Sequence, residues 1–153
     1  MPRDVSAARF RTKTATPVVD GLHGVLASAF QLYRDTHLAH FNVSGTSFPQ
    51  LHALFEAQYI DLWKSLDALA ERVRALDTPV QPAAFAAAGD DIPADAQGLL
   101  RHLADGNRRC SQEFIALAAT ADEAGDIGTA DLATQRAQAH EKHAWMLRAT
   151  MDD

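Results

Sequence analysis

The chain has 153 residues, a formal net charge of −6 and 47% apolar residues. This length fits one domain with a single buried core. The net negative charge argues against a protein that binds nucleic acid over its whole surface. The single cysteine, Cys110, excludes an intrachain disulfide and fits a reducing compartment. No apolar run approaches about 18 residues and the N-terminus lacks an apolar signal segment, so we expect a soluble, cytoplasmic protein. Alanine-rich segments without strand-like alternation predict an all-α fold.

Residues 1–15 are predicted to form a flexible basic arm ahead of a helical domain at residues 16–153. The arm has one acidic residue, Asp4, and no apolar periodicity. Its basic residues are Arg3, Arg9, Arg11 and Lys13. Many copies of this arm in one oligomer could hold DNA phosphates weakly and in a salt-dependent manner. The alternative is an arm without a DNA role, since the net negative charge of the chain repels DNA.

The first predicted helix begins at Thr16 and Pro17, which suit the N-cap and the first helical position. Apolar residues recur at helical spacing from there to His40, which places His40 at the edge of a buried face. His37 lies one turn earlier. It is either a residue that orients a metal ligand or a partly exposed polar side chain.

Residues 51–76 predict a long second helix, because they contain no Gly or Pro and carry apolar residues at helical intervals. The stripe expected to face the core consists of Leu51, Phe55, Leu62, Leu66, Leu69, Val73 and Leu76. A second stripe lies about 120° away around the helix. It consists of His52, Glu56, Trp63 and Asp67, with Glu71 at its edge. The second stripe therefore needs a ligand or a partner of its own.

The second stripe contains two pairs with ligand spacing, His52 with Glu56 and Asp67 with Glu71. The pairs lie about 22 Å apart along the axis, so no single ion reaches both. Two copies packed antiparallel across a two-fold axis would bring the first pair of one chain opposite the second pair of the other. Trp63 would lie near that axis, as expected for a partner surface. Mixed imidazole and carboxylate ligands favour iron or manganese over structural zinc, with iron expected first.

Residues 77–95 contain Pro and Gly at four positions and predict a long connection that can hold only a short helix. A third helix is expected over about residues 94–120, in which His102 and Cys110 are interpreted as packing residues. In the fourth helix His140 and His143 are three residues apart and could be ligands in principle. Without a carboxylate to complete them, they are interpreted as residues at the edge of the bundle. No Glu is followed by His three residues later, which argues against an iron site inside one bundle.

The segment 121–131 joins the third and fourth helices and is acidic. Its carboxylates are Asp122, Glu123, Asp126 and Asp131. One interpretation is a solvated loop with helix-capping Asp residues. The other is an acidic pore, formed where three copies meet, that concentrates Fe²⁺.

Two runs of this sequence resemble the Dps family, the DNA-binding proteins from starved cells, also called mini-ferritins. The first is HFNVSGTSFPQLHALFE at residues 40–56, followed by Asp67-x-x-Ala70-Glu71-Arg72. The second is HEKHAWMLR at residues 140–148, which is similar to the end of the family's last helix. The resemblance covers about residues 17–151. Its distinctive feature is the interval from His40 to His52, with the two acidic positions downstream.

The resemblance implies a ferritin-like four-helix bundle with a long connection, carrying a short helix, between helices 2 and 3. It also implies a hollow homo-dodecamer built on antiparallel two-fold dimers, with a ferroxidase centre of one or two irons at each dimer interface. The ligands so implied are His40, His52 and Glu56 of one subunit and Asp67 and Glu71 of its neighbour. Asp126 and Asp131 correspond to pore positions of the family.

The implied activity is oxidation of Fe²⁺, preferentially by hydrogen peroxide and more slowly by O₂, with storage of ferric mineral and protection of DNA in the bacterial cytoplasm or nucleoid. The family often has Trp at the position of Phe41, so a radical-quenching role for that Trp does not carry over, and Trp63 is a candidate substitute. The Lys-rich tail of DNA-binding members is also missing. Two alternatives stay open: a non-catalytic, nucleoid-associated DNA-binding oligomer that uses the basic arm, and a bundle whose His and carboxylate residues are only structural.

Overall fold

The computed structural model describes residues 17–151, so the basic arm predicted at residues 1–15 lies outside the described residues. The four helices are α1 (Pro17–Asn42), α2 (Phe48–Ala75), α3 (Ala96–Glu123) and α4 (Ile127–Ala149). A short 3-10 helix, Pro82–Phe85, lies in the connection between α2 and α3. The described residues contain no β-strand. The predicted all-α bundle with a long connection between helices 2 and 3 is therefore confirmed.

Two helical hairpins form the bundle. Short turns join α1 to α2 and α3 to α4, and each helix packs mainly on its hairpin partner. Gly45 (φ 104°) and Gly125 (φ 72°) take left-handed backbone conformations in these turns, which favour glycine. The hairpins meet chiefly where α1 packs on α3. At Gly106 of α3 an added Cβ would lie 2.8 Å from Leu32 Cδ1 of α1, so this close approach explains a glycine within the helix.

The core stripe predicted for α2 is buried as expected. Its members Leu51, Phe55, Leu62, Leu66, Leu69 and Val73 are all at most 3% exposed. Leu76, predicted as the last member, follows the end of the helix and is only partly buried. The helix begins three residues earlier than predicted, at Phe48, because Pro49 fits the first turn, where its missing N–H has no intrahelical partner. None of the helices in residues 17–151 is long and apolar enough to cross a lipid bilayer.

Candidate metal centre

His40 and His52 lie side by side where the end of α1 meets the start of α2. The Nδ1 of His40 lies 2.9 Å from the carbonyl oxygen of His52, and the Nδ1 of His52 lies 2.8 Å from the carbonyl oxygen of His40. The two rings stack with centroids 3.7 Å apart. Because a carbonyl only accepts hydrogen bonds, each Nδ1 must donate. In the neutral form of each ring the Nε2 atom then carries the lone pair, which is the form of histidine that binds a metal.

This reciprocal pairing follows from local structure. The carbonyl of His40 belongs to the last turn of α1, where backbone carbonyls have no N–H partner within the helix. The His52 ring donates to this carbonyl and so closes the turn between the two helices. His40 itself is only 7% exposed, which holds its ring in one orientation. The structure thus brings together two of the five predicted ligands and fixes their tautomer.

The three predicted carboxylates, Glu56, Asp67 and Glu71, are all exposed on α2. None of them has a hydrogen bond or ion pair within residues 17–151. Since α2 is an unbroken helix, Asp67 lies about 22 Å along the axis from His52. Across the described part of the chain, no group of three or more His, Cys, Asp or Glu side chains is placed to hold a metal ion. One chain therefore presents the predicted ligands as two separate sets. The first is His40 and His52 with Glu56 one turn further along α2, and the second is Asp67 with Glu71.

A shallow hollow adjoins the second set. It has a volume of about 500 Å³ and is lined by Trp63, Lys64, Leu66, Asp67, Ala70 and Phe85. Trp63 is 60% exposed and its neighbour Ile60 is 40% exposed. Phe85 comes from the 3-10 helix, so the long connection extends the apolar surface beside Asp67. Contiguous exposed apolar side chains of this kind are typical of a protein–protein contact.

His37 belongs to an aromatic cluster beside the histidine pair. Its Nδ1 lies 3.0 Å from Tyr33 Oη, and its ring stacks on Tyr59 and Phe41 with centroids 3.9 and 4.6 Å away. Burial, together with the nearby His40, lowers the pKa of His37. The Trp63 ring lies 5.3 Å from the Tyr33 ring. Sequence reasoning missed Tyr33, although it is four residues before His37 and therefore on the same helical face.

The two predicted pore residues have different surroundings. Asp126 is the N-cap of α4 and accepts hydrogen bonds from Arg72 Nη2 at 2.6 Å and from the Thr129 N–H at 3.0 Å. Burial would raise the pKa of Asp126, but the hydrogen bonds from Thr129 and the charge of Arg72 outweigh it and lower the pKa. Asp131 is exposed, and among the described residues its side chain accepts a hydrogen bond from Gln135 alone, at 2.7 Å. The helix-capping interpretation of the acidic loop thus holds for Asp126.

The prediction that His140 and His143 lie at the edge of the bundle is wrong. His140 is fully buried and His143 is 9% exposed. His143 Nε2 lies 3.6 Å from the carboxylate of Asp61, which also makes two hydrogen bonds with Arg136. Burial lowers the pKa of His140 to about 3. The spacing along α4 could not reveal this, because the carboxylate comes from α2.

The other two residues interpreted as packing differ from each other. Cys110 is buried, and burial raises its pKa to about 12. His102 Nε2 instead makes a 2.9 Å hydrogen bond with Asp35, so it joins α3 to α1 through a polar contact.

Comparisons with known proteins agree with this architecture. The model of the ferritin-like domain family matches residues 19–153. A DNA protection during starvation protein of Brevibacillus brevis is 31% identical, with 86% of this chain and 92% of that protein covered. The crystal structure of Dps from Thermosynechococcus elongatus superposes with a TM-score of 0.82 at 32% identity, covering 89% of this chain and 90% of that one.

A Dps protein from Vibrio cholerae O1, described as a member of a superfamily of ferritin-like diiron-carboxylate proteins, superposes with a TM-score of 0.80 at 30% identity. The two chains are covered to 86% and 87%. Family match, sequence identity and structural similarity extend over nearly the whole described chain. The chain therefore belongs to the Dps family of ferritin-like proteins.

Proposed function

We propose that this protein is an iron-oxidising mini-ferritin. In this proposal it oxidises Fe²⁺, preferentially with hydrogen peroxide, at centres shared between two subunits, and it stores the ferric product as mineral inside a homo-dodecamer. Each centre consists of His40, His52 and Glu56 of one subunit and Asp67 and Glu71 of its neighbour. It works in the bacterial cytoplasm, where removal of Fe²⁺ and peroxide protects DNA.

The observation that carries the proposal is the reciprocal hydrogen bonding of His40 and His52. Two histidines held by their Nδ1 atoms, with both Nε2 lone pairs free, are prepared for a cation rather than for a further hydrogen-bond donor of the chain. Neither Nε2 is among the buried atoms without a partner, so both are open to a ligand from outside the described chain. Among the described residues no third side chain is already assembled with this pair. We therefore assign the further ligands to Glu56, one turn from His52 on the same helix, and to the carboxylates of a second subunit.

The exposed surface of α2 supports a shared centre. Asp67 and Glu71 have no partner within the described residues, although they lie beside the apolar surface around Trp63. Burying Trp63 against a second copy would remove apolar area from water and bring these carboxylates out of bulk solvent. An antiparallel arrangement of two α2 helices places them opposite His52 and Glu56. The same contact that stabilises the dimer thereby completes both centres.

The ligand chemistry suits oxidation of Fe²⁺. Neutral imidazoles bind Fe²⁺ well, and carboxylates stabilise the higher charge of Fe³⁺, so the mixed set lowers the free energy of the product. Two Fe²⁺ ions reduce one hydrogen peroxide with uptake of two protons, which gives two Fe³⁺ and two water molecules. Because no hydroxyl radical is released in this two-electron reaction, iron and peroxide are removed together. Exposed Asp131 and the other carboxylates of the α3–α4 loop would attract Fe²⁺ to the shell.

The names of the relatives point the same way. The Brevibacillus brevis relative is called a DNA protection during starvation protein, and the Vibrio cholerae structure is described as diiron-carboxylate. We carry both properties to this chain as part of the proposal.

The test is an anaerobic Fe²⁺ titration of full-length protein, followed by hydrogen peroxide, with the particle mass measured on the same sample. His52→Ala and Asp67→Ala should each abolish saturable binding and fast oxidation while the dodecamer is retained. His23→Ala is the matched control, since His23 bonds to the Val19 carbonyl of its own helix and to the Gln81 N–H of the connection, and to no residue of the proposed centre, so it should leave the rates unchanged. Normal rates in His52→Ala would refute the proposed centre.

Co-assembly of the two variants tests the sharing between subunits. In particles that contain equal amounts of His52→Ala and Asp67→Ala chains, about a quarter of the centres would combine an intact His52 from one chain with an intact Asp67 from the next. Activity should therefore reappear at about a quarter of the wild-type level. If every centre lies within one chain, the mixed particles would stay inactive.

A further inference from the structure

A second polar cluster lies inside the bundle, away from the proposed interface centre. On α4, His140 and His143 point inward, and on α2, Gln58 and Asp61 have the same three-residue spacing. The amide nitrogen of Gln58 donates to the backbone carbonyl of His143 at 3.4 Å, and Asp61 lies 3.6 Å from the His143 ring. The two helices thus face each other through these four side chains, which we call the interior cluster.

Each histidine of the interior cluster has one nitrogen held by a neighbour. His140 Nδ1 lies 2.9 Å from Asn107 Oδ1. The Asn107 amide nitrogen donates to the carbonyl of Leu103, so its oxygen faces His140 and the Nδ1 of His140 must donate. The Nε2 of His143 lies 3.6 Å from the Asp61 carboxylate, which is longer than a hydrogen bond, but the carboxylate favours a proton on this nitrogen because it can only accept. The remaining nitrogens, His140 Nε2 and His143 Nδ1, therefore carry lone pairs.

These lone pairs are buried and without a partner. The described chain offers no hydrogen-bond donor to His140 Nε2, His143 Nδ1 or Gln58 Oε1. Gln58 is only 2% exposed, so bulk water does not replace the missing donor. An unpaired buried polar atom costs about 1–3 kcal/mol, so three in one cluster call for an external partner. A fourth unpartnered atom, Arg136 Nε, is a donor beside the same cluster. Asp61 and Arg136 pair with each other, so their charges largely cancel.

We propose that the interior cluster is a binding site for one divalent transition-metal ion of the imidazole-preferring class, such as Zn²⁺ or Co²⁺. His140 Nε2, His143 Nδ1 and Gln58 Oε1 are its ligands, and a bound water that accepts from Arg136 Nε completes the coordination. Carboxylate–histidine–metal and amide–histidine–metal chains then run through Asp61 and Asn107, the arrangement that orients ligand histidines in metal sites. Facing helices of a bundle are a usual place for such sites.

The ligand set selects the metal. Two imidazoles and one amide oxygen suit Zn²⁺ or Co²⁺, whereas Mg²⁺ and Ca²⁺ prefer oxygen ligands alone. Since the cluster lies within one chain and uses no residue of the interface centre, this site is independent of the proposed ferroxidase. It has a composition different from the carboxylate-rich interface and is expected to retain its ion rather than pass it on.

The experiment uses full-length, chelator-treated protein in which the interface centre is disabled by His52→Ala and Asp67→Ala together. Co²⁺ is titrated and followed by its visible absorption, with Zn²⁺ as a competitor. We expect saturation near one ion per chain. His143→Gln should weaken binding by about tenfold or more, whereas Gln58→Glu, which replaces an amide oxygen by a charged ligand, should tighten it by about tenfold. His23→Ala serves as the control and should leave the affinity unchanged.

Gln58→Glu keeps the test decisive if His143→Gln does not fold, because a gain of affinity cannot arise from unfolding. The proposal is overturned if the interface-disabled protein shows no saturable Co²⁺ binding. It is also overturned if Gln58→Glu leaves the affinity unchanged, or if a metal-soaked crystal shows only a water molecule beside His140 Nε2. Loss of iron oxidation in the interface variants bears on the ferroxidase proposal alone, so the two proposals can fail separately.

Discussion

Replacing Asp126 with alanine tests whether this carboxylate stabilises the fold, whatever its part in iron entry. Asp126 caps α4 through the Thr129 N–H at 3.0 Å and the Thr129 hydroxyl at 2.6 Å. It also binds Arg72 of α2 at 2.6 Å, and Arg72 donates to the Thr129 hydroxyl at 2.9 Å. The three side chains thus join the end of α2 to the start of α4.

The size of the effect follows from these contacts. Loss of a helix N-cap costs about 1 kcal/mol. The ion pair with Arg72 is partly exposed, 29% for Arg72 and 17% for Asp126, so solvent screening limits its contribution to about 1 kcal/mol. We therefore expect Asp126→Ala to reduce the free energy of unfolding by about 1–2 kcal/mol. Asp126→Asn keeps a capping side chain but loses the charge that pairs with Arg72, so it should cost about half as much.

The pH dependence of the free energy of unfolding provides an independent test. Because the pKa of Asp126 is lowered in the folded protein, the unfolded chain takes up this proton first as the pH falls. The stabilisation is therefore fully present above the ordinary value of 3.8 and is lost as the pH falls through the lowered value. The difference in free energy of unfolding between wild type and Asp126→Ala should therefore become smaller as the pH falls over that range.

The assay is urea unfolding followed by far-UV circular dichroism, at one protein concentration because assembly adds to apparent stability. Asp131→Ala is the matched control, since Asp131 is exposed and its side chain bonds to Gln135 alone within residues 17–151. It should change the free energy of unfolding by less than about 0.5 kcal/mol. If Asp126→Ala were as stable as Asp131→Ala, the assignment of Asp126 to a structural clamp would be refuted. Slower iron uptake in Asp126→Ala would then reflect the pore alone.

Two further predictions concern packing. Gly106→Ala should lower the free energy of unfolding by about 1 kcal/mol, because the clash with buried Leu32 outweighs the better helix propensity of alanine. Gly24→Ala places no atom within 4 Å of the new Cβ and should raise the free energy of unfolding by about 0.5–1 kcal/mol. The same urea assay measures both variants, and equal effects would contradict the close contact of α1 with α3. Cys110 should resist a thiol reagent in the native protein and react quickly in urea, since it is buried and its pKa is raised to about 12; fast native labelling would contradict that burial.

Much of the fold was predictable because helix formation depends on local spacing. The core stripe of α2 could be recognised from the apolar residues alone, since residues three and four apart share a face in any helix. The same rule placed His52, Glu56, Asp67 and Glu71 on one side, and the structure leaves all three carboxylates exposed there. The roles of these residues as ligands stay predictions, as do the pore role of Asp131 and the boundary after residue 15.

Contacts between helices could not be predicted in this way. Arg72 and Asp126 are 54 residues apart in sequence, and nothing in either local pattern indicates that they meet. His140 and His143 were assigned to the bundle edge because no carboxylate completes the pair at one-turn spacing along α4, whereas Asp61 approaches His143 from α2.

The sequence by itself determined that the chain forms long amphipathic helices, that α2 has two committed faces and that its ligand pairs are too far apart for one ion. Only the tertiary structure decided which side chains bond to one another. These contacts are the reciprocal hydrogen bonds of His40 and His52, the pairing of Asp126 with Arg72, and the interior cluster. The physical reason is the sequence separation over which each kind of interaction acts. Hydrogen bonding within a helix acts over four residues, whereas these pairings depend on how faces of different helices pack, and packing is fixed by the fit of the whole core.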